Sequence, residues 1–569
     1  MELNCFDLES LSFLKNNMSF NLIDNKWILV RDQKDNVKEV SLKECLLNCE
    51  NFLELAGETA AQDAALLRLL IAMNLTVMYR SDENGEQSLL ETEDQALDRW
   101  QAVWESGHLQ KRAITEYLES VKDSFELDGD GKRFLQSENA KIGTSYKSSK
   151  LMGDLSESNN KLRLFQLRNG EAKEELSLAC SARWLLNLNG FDDNSSKPSS
   201  KYKLLPKEER LSPGAGWLGK LGLIFIKGKN LFETVMLNTV LLKDGKTLWP
   251  SMVPYWEVEN PDTSERRMLS GVPNDLAAVL TMPSRRVWLN FNKNHKVDGY
   301  YLIGGDFFER TNAFTEQYTL WKKADPKKKD SNDFIPRRHL AARQLWRDFQ
   351  FFALPTAEKK TKAPGVIDWV RTLLSQEIID DESAVELFAP SVTYGDQDYL
   401  VTDLSSQSIR LFPEVLIDAQ SEWRDVIQSE IEKIDQLAFA AGIFAKEIAL
   451  ASGASPDIAS SALTGASNQF YANIDQLFQE WISSIHPDEI EDLEQYEQVL
   501  REWHRTAAKI GYQTSKLYLS GLRPEALLGK YVQDKKKEVH VSIPEAIERL
   551  NWKIYSIYKK NDAVENDVD

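Results

Sequence analysis

Trp423-Arg-Asp-Val-Ile427-Gln-Ser-Glu-Ile431-Glu-Lys-Ile434-Asp-Gln-Leu-Ala438 places apolar side chains at steps of three and four, and Ala441, Ala445 and Ile448 continue the stripe. This spacing predicts a long helix buried along one face. Phe470, Ile474, Leu477, Trp481 and Ile485 repeat it, as do Leu493, Tyr496, Leu500, Trp503, Ala507 and Ile510. A fourth helix is announced by Ser542-Ile-Pro-Glu545, a capping-box spacing with proline in the first turn, followed by Ile547, Leu550 and Ile554. Helices that each bury one face are satisfied by packing on one another, so residues 411–560 read as a four-helix bundle. Residues 561–569 form an acidic tail.

Upstream, residues 18–410 have a different texture. Trp27-Ile-Leu-Val30 reads as a strand, and Ser41-Leu-Lys-Glu44 has the spacing of a helix start. Thr59 to Tyr79 and Glu93 to Trp104 carry helical apolar spacing. Val287 to Phe291 and Tyr300 to Ile303, with Asp298-Gly299 between them, read as a hairpin. The chain as a whole is therefore α+β: a large mixed domain over 18–410 followed by the bundle. Its 569 residues exceed what one core supports, since cores stop growing near roughly 250–300 residues.

The composition, 42% hydrophobic and 28% charged, is that of a chain able to bury a large core rather than a disordered one. The four cysteines (Cys5, Cys45, Cys49, Cys180) form no CxxC pair, which favours a reducing, cytoplasmic setting, with Cys45 and Cys49 as small apolar residues on one helix. The most apolar stretch, Ala64 to Tyr79, is interrupted by Arg68 and Asn74 and is short for a bilayer, and no membrane association is expected.

A net charge of −19 excludes a uniformly basic coat, yet charge is segregated. Lys197 to Asn230 holds eight basic residues against two acidic, and Lys322 to Lys362 holds twelve against five. Asp475 to Glu502 holds nine acidic residues against Arg501. A single such run is usually a solvated face. Two basic, Gly- or Pro-containing segments in an acidic chain also suit a cleft for a polyanion. They nominate Lys220, Lys322, Lys323, Arg337 and Arg338 for a nucleic-acid backbone.

Catalytic patterns are missing from the sequence. Gly214-Ala-Gly-Trp-Leu-Gly219-Lys220-Leu221 fits GxxxxGK but has Leu221 where a magnesium-binding hydroxyl belongs. What remains is a glycine-rich loop whose backbone can come close to a ligand, or an ordinary turn before a strand over Leu221 to Ile226. Trp217 within it reads as a core residue, with an exposed stacking surface as the alternative. The six histidines lack metal-ligand spacing, Asp128-Gly-Asp130-Gly fails as a calcium loop at Lys132 and Arg133, and no nucleophile motif occurs. Neither metal nor cofactor is expected.

Phe20-Asn-Leu-Ile-Asp24-Asn-Lys-Trp27-Ile-Leu-Val30, the helix from Ala64 to Ile71, Arg133-Phe-Leu-Gln136, Pro213-Gly-Ala-Gly216 and Ile226-Lys-Gly-Lys-Asn-Leu-Phe-Glu-Thr-Val-Met-Leu-Asn238 occur in an order that resembles the CasA family, the large subunit of the type I-E CRISPR Cascade complex. The resemblance covers nearly the whole chain and includes the bundle. It implies a non-enzymatic subunit that reads the protospacer-adjacent motif on double-stranded target DNA, helps open the duplex and form the R-loop, touches the CRISPR guide RNA, binds other Cascade subunits and docks an effector helicase-nuclease. Such work needs backbone close to a groove and cations on phosphates.

By the same resemblance, Gly214, Ala215 and Gly216 stand for the groove-reading glycine loop, with Ala215 a departure from a glycine-richer run. Gln397 in Tyr394-Gly-Asp-Gln-Asp-Tyr399 stands for the wedge that enters the duplex, although Asp396 and Asp398 beside it are acidic. The minor-groove cation falls at Arg310 or Asn312, and Arg310 is taken because it keeps the charge. Phe165, Arg168 and Lys173 mark the loop toward the RNA handle. Family members often begin near the equivalent of Met18, so residues 1–17 read as an extension or as lying ahead of the translation start. Two other readings compete: a nucleotide hydrolase using Gly214 to Lys220, and an interaction scaffold that binds no DNA.

Overall fold

The computed structural model describes residues 19–129, 131–153, 168, 170–194, 214–258, 271–325, 327, 332–341, 343–353, 361–379, 385–417, 422–485, 493–520, 522, 524–534 and 537–558. The chain divides into two compact units: one of Met1–Arg343, Pro355–Asp380 and Val385–Ser408, the other of Gln344–Leu354, Asp381–Ala384 and Ile409–Asp569.

The first unit opens with antiparallel strands β1 (Ile28–Asp32), β2 (Val37–Val40) and β3 (Phe52–Leu55), ordered β2-β1-β3. Between β2 and β3, Ser41 Oγ accepts the Glu44 amide at 3.1 Å, the cap its spacing forecasts. Cys45 lies on the helix so started, whereas Cys49 falls on the 3₁₀ turn Cys49–Asn51 that follows it, one step beyond the shared helix expected from sequence. Asn48 ends the helix, its own amide closing back on Glu44 O at 3.2 Å.

Helix α1 (Ala60–Arg80), capped by Thr59, runs through the core. At 21 residues it is long and apolar enough to cross a membrane by length and composition, so length does not exclude that role as the sequence suggested; but 94% of its apolar window is buried inside the protein. Its two polar interruptions are internal anchors. Arg68 makes a bidentate pair with Glu316, both bonds 2.9 Å, and Asn74 Nδ2 donates to Thr239 Oγ1 at 2.9 Å. Burying two charges is tolerable only with such a paired geometry, although Arg68 Nε and Asn74 Oδ1 are buried without a hydrogen bond among the described residues.

Helix α2 (Leu178–Phe191) packs on α1 and is buried along most of its length. Strand β4 (Thr144–Lys147) joins β6 (Arg285–Phe291) and β7 (Val297–Gly304) in the order β4-β7-β6. The hairpin turn is not at Asp298-Gly299, which lie inside β7. Asn292 makes it instead: its Oδ1 accepts the amides of Asn294 and Lys296, and His295 takes the left-handed φ of 54°. Gly299 is needed in β7 for closeness, since a Cβ there would lie 2.7 Å from Tyr146 O of β4.

The strand expected over Leu221 to Ile226 is shorter and shifted, β5 (Phe225–Lys227), while Leu223 forms only an isolated bridge to Thr319. β8 (Trp321–Lys323) lies between β9 (Phe334–Pro336) and β10 (Thr361–Lys362), and β11 (Val385–Tyr394) lies between β5 and β12 (Val401–Leu411).

The second unit is built on α3 (Glu422–Ala451), α4 (Pro456–Ser483), α5 (Leu493–Lys516) and α6 (Ile543–Tyr558), with the hairpin β13 (Lys530–Asp534) and β14 (Lys537–Val541) before α6. Of the stripes read from sequence, Ile427, Ile434, Phe470, Ile474 and Ala507 are fully buried, whereas Leu477 is half-buried with Phe478 taking its place in the core, and Ile547 on the last helix is exposed. Trp481 and Trp503 stack with ring centroids 5.0 Å apart. One polar network is sealed among them. Glu430 accepts from His504 Nε2 at 2.9 Å, Lys433 Nζ at 2.6 Å and Trp503 Nε1 at 3.1 Å. Burial alone pushes the Glu430 carboxyl up, but the bonds and charges of His504 and Lys433 hold it below the ordinary carboxylate range.

Candidate nucleic-acid interface

The glycine loop is built on the C-terminal end of α2. After Phe191 the chain runs Asp192-Asp193-Asn194, and each residue is committed. Asp192 O accepts the Gly216 amide at 2.8 Å, and its carboxylate takes Arg285 Nε at 2.5 Å. Burial pushes the Asp192 carboxyl above its ordinary range against the pull of Arg285. Arg285 Nη2 also donates to Gly214 O at 2.6 Å, and Asp193 holds Lys150 at 2.5 Å.

Two glycines of the loop are required for different reasons. Gly214 has a φ of +69°, and a Cβ there would meet only the Lys220 side chain at an ordinary contact distance of 3.7 Å, so its need is conformational. Gly216 packs backbone to backbone on α2, where a Cβ would collide with Gly190 O, so its need is steric. Ala215 is 1% exposed and Gly216 is buried, leaving half-exposed Gly214 as the loop's accessible residue. Ala215 thus supplies shape rather than surface.

Trp217 is a core residue, 6% exposed, and its indole N–H donates to Glu316 at 2.8 Å. The loop is thereby tied to the Arg68–Glu316 pair that anchors α1. A 3₁₀ turn, Leu218–Lys220, follows in place of the long helix a phosphate-binding loop feeds. Three amides of the glycine loop are also engaged: Gly214 N–H on Asn194, Gly216 N–H on Asp192 and Trp217 N–H on Ser284. A phosphate cradle needs such N–H groups turned to the ligand.

The glutamine sits at the tip between β11 and β12. Tyr394 seats the tip: its hydroxyl donates to Phe191 O at 2.7 Å, and a Cβ on Gly219 would collide with that hydroxyl. The tip backbone is unusual, with left-handed φ values of 55° at Gln397, 61° at Asp398 and 61° at Leu400. Non-glycine residues held there store strain, which clusters at working sites. Gln397 is exposed, and among the described residues its side chain makes no hydrogen bond.

Asp398, which sequence marks as unwelcome near phosphate, is answered by Arg338. The pair is bidentate, 2.6 and 2.9 Å, and half-exposed, and the same guanidinium lies over the Tyr394 ring at 5.4 Å. The hydrogen bonds and charge of Arg338, and then the charges of Lys220 and Arg310, hold the Asp398 carboxyl below its usual range. Residues from four stretches of sequence therefore converge: Gly214 with Lys220, Arg310, Arg338 and Gln397.

Other candidates stand apart from this cluster or at its margin. Lys322 is exposed and Lys323 half-buried on β8, next to the strand that leads into Arg337 and Arg338. Arg337 is half-buried and its amide donates to Leu320 O at 2.8 Å. Arg168 is ion-paired with Glu58 and touches Cys180 Sγ at 3.5 Å, and Lys173 lies on the short helix Glu171–Glu174. Phe165 and the basic residues from Lys197 to Arg210 lie outside the described residues.

Asn194 is the residue sequence reasoning missed. Its Oδ1 accepts the Gly214 amide at 3.1 Å, its Nδ2 donates to Gln397 O at 3.0 Å and its own amide donates to Asp398 O at 3.0 Å. The only local hint is its place just after a helix end, in Asp192-Asp193-Asn194.

Comparison with known proteins agrees with this architecture. The model of the family CRISPR-associated protein Cse1 matches residues 21–514, and the chain belongs to that family. It is 27% identical over 334 residues to CRISPR-associated protein CasA/Cse1 of Thermus thermophilus, a match covering 58% of this chain and 59% of that one. Its fold is similar to the crystal structure of Thermobifida fusca Cse1, with a TM-score of 0.78 at 21% identity over 95% of this chain and 98% of that one. It is also similar to a chain described as a CRISPR RNA-guided surveillance complex, with a TM-score of 0.65 at 14% identity over 88% of this chain and all of the other.

Proposed function

We propose that this chain is the large subunit of a type I-E CRISPR surveillance complex. In this reading it recognises the protospacer-adjacent motif on double-stranded DNA, promotes duplex opening and R-loop formation, and offers a docking surface to the effector helicase-nuclease. Its partners are the other Cascade subunits, the guide RNA and the target DNA, and it acts in the cytoplasm without catalysing a reaction itself.

The convergence of Gly214, Lys220, Arg310 and Arg338 around an exposed, strained Gln397 is the observation that carries the reading. Gly214 brings backbone to the floor of a groove, the cations meet phosphates on either side, and Gln397 is the side chain free to enter between base pairs. Duplex opening costs a few kcal/mol per base step, repaid by contacts to the separated strands. The acidic run of sequence from Asp475 to Glu502 suits protein rather than DNA.

The test is R-loop formation by the reconstituted complex with guide RNA. Gln397→Ala should slow strand opening at least tenfold while complex assembly and melting temperature stay unchanged; opening at the parent rate would remove Gln397 from the mechanism.

A further inference from the structure

We infer that Asn194 is a positioning residue that holds the glycine loop and the glutamine tip in one fixed geometry, so that the two act as a single reading head. This rests on the functional reading above. The side-chain amide of asparagine suits this chemistry. The Gly214 amide can only donate and the Gln397 carbonyl can only accept, so the residue between them needs an acceptor and a donor on one short, planar group. Aspartate lacks the donor, and alanine lacks both.

The three bonds also span the fold. Asn194 and Gln397 are 203 residues apart, and Asn194 and Gly214 are 20 apart. The sequence alone keeps neither loop near the other. Tyr394 seats the base of the tip on Phe191, and Arg338 holds its Asp398 side, but among the described residues Asn194 alone bonds to both the loop and the Gln397 backbone. Its grip is on backbone atoms, leaving the Gln397 side chain unobstructed. Because Gln397 is the group proposed to enter the duplex, its distance from the groove-facing Gly214 sets where along the DNA the wedge falls.

Two measurements on the full chain in its assembled complex test this. The first is a double-mutant cycle on the R-loop formation rate. Asn194→Ala should cost about tenfold, from two lost hydrogen bonds, but under about twofold when Gln397 is already alanine, because Asn194 acts through Gln397. Multiplying losses would overturn the inference. A full-rate Gln397→Ala single variant would instead overturn the functional reading.

The second is hydrogen exchange without DNA, which does not depend on function. Asn194→Ala should speed exchange in both Gly214–Trp217 and Gly395–Leu400. Asn194→Asp, which keeps the acceptor for Gly214, should loosen the Gly395–Leu400 segment alone. Unchanged exchange at Gly395–Leu400 in Asn194→Ala would overturn the coupling even if the rates had fallen.

Discussion

Glu430 in the bundle and Asp398 at the tip are both acidic residues held by cations, and they differ in exposure. The Glu430 side chain is 2% exposed, sealed among His504, Lys433 and Trp503; that of Asp398 is 33% exposed against Arg338 at 35%. A sealed carboxylate cannot exchange partners, so its network specifies how helices pack. A half-open one can yield its cation to a phosphate arriving from solvent. The same chemistry is therefore locked in one unit and exchangeable in the other, with burial deciding which.

The largest effect expected from this contrast is on stability. Glu430→Ala leaves the cations of the bundle network without their buried partner and should cost about 3–5 kcal/mol. Thermal melting would show it, and DNA capture at temperatures where the variant stays folded should match the parent. Next come the glycines. Gly216→Ala forces the loop away from α2 and should cost about 1–3 kcal/mol, against about 1 kcal/mol for Gly214→Ala, where only the left-handed backbone resists. Equal losses would show that the loop is not packed as described.

Asp398→Asn should act the other way on binding. Freeing Arg338 adds one phosphate contact, so the dependence of log affinity on log salt for non-specific duplex should steepen by about 0.9. An unchanged slope would place Arg338 away from DNA. The smallest effect concerns pH. Arg338 lowers the folded-state pKa of Asp398, so this pair contributes above the ordinary aspartate value of about 3.9 and is lost as pH falls through the lower folded value. The melting-temperature gap between parent and Asp398→Asn should close on acidification.

The bundle is readable in sequence because helical periodicity is local: Trp423, Ile427, Ile431 and Ile434 announce their shared face within twelve residues of one another. Caps at Ser41 and Thr59 are equally local. The hairpin turn was misplaced because Asp298-Gly299 carries a turn signal, while the glycine actually serves a close approach by Tyr146, a residue on another strand. The tip shows the limit more sharply. Resemblance nominates Gln397 and the glycine loop, but the partner that answers the acidity of Asp398 lies 60 residues away at Arg338. Asn194 has no pattern at all, since its role consists of bonds to two backbones that folding alone brings together.

DNA is proposed to meet this chain at the Gly214 loop and the Gln397 tip. Photo-crosslinking from base pairs flanking the target, in the assembled complex, tests it most directly. The account predicts adducts within Gly214–Lys220 and Gly395–Tyr399, weakened by excess unlabelled target. Adducts confined to the helices of the bundle, with none at either loop, would contradict it.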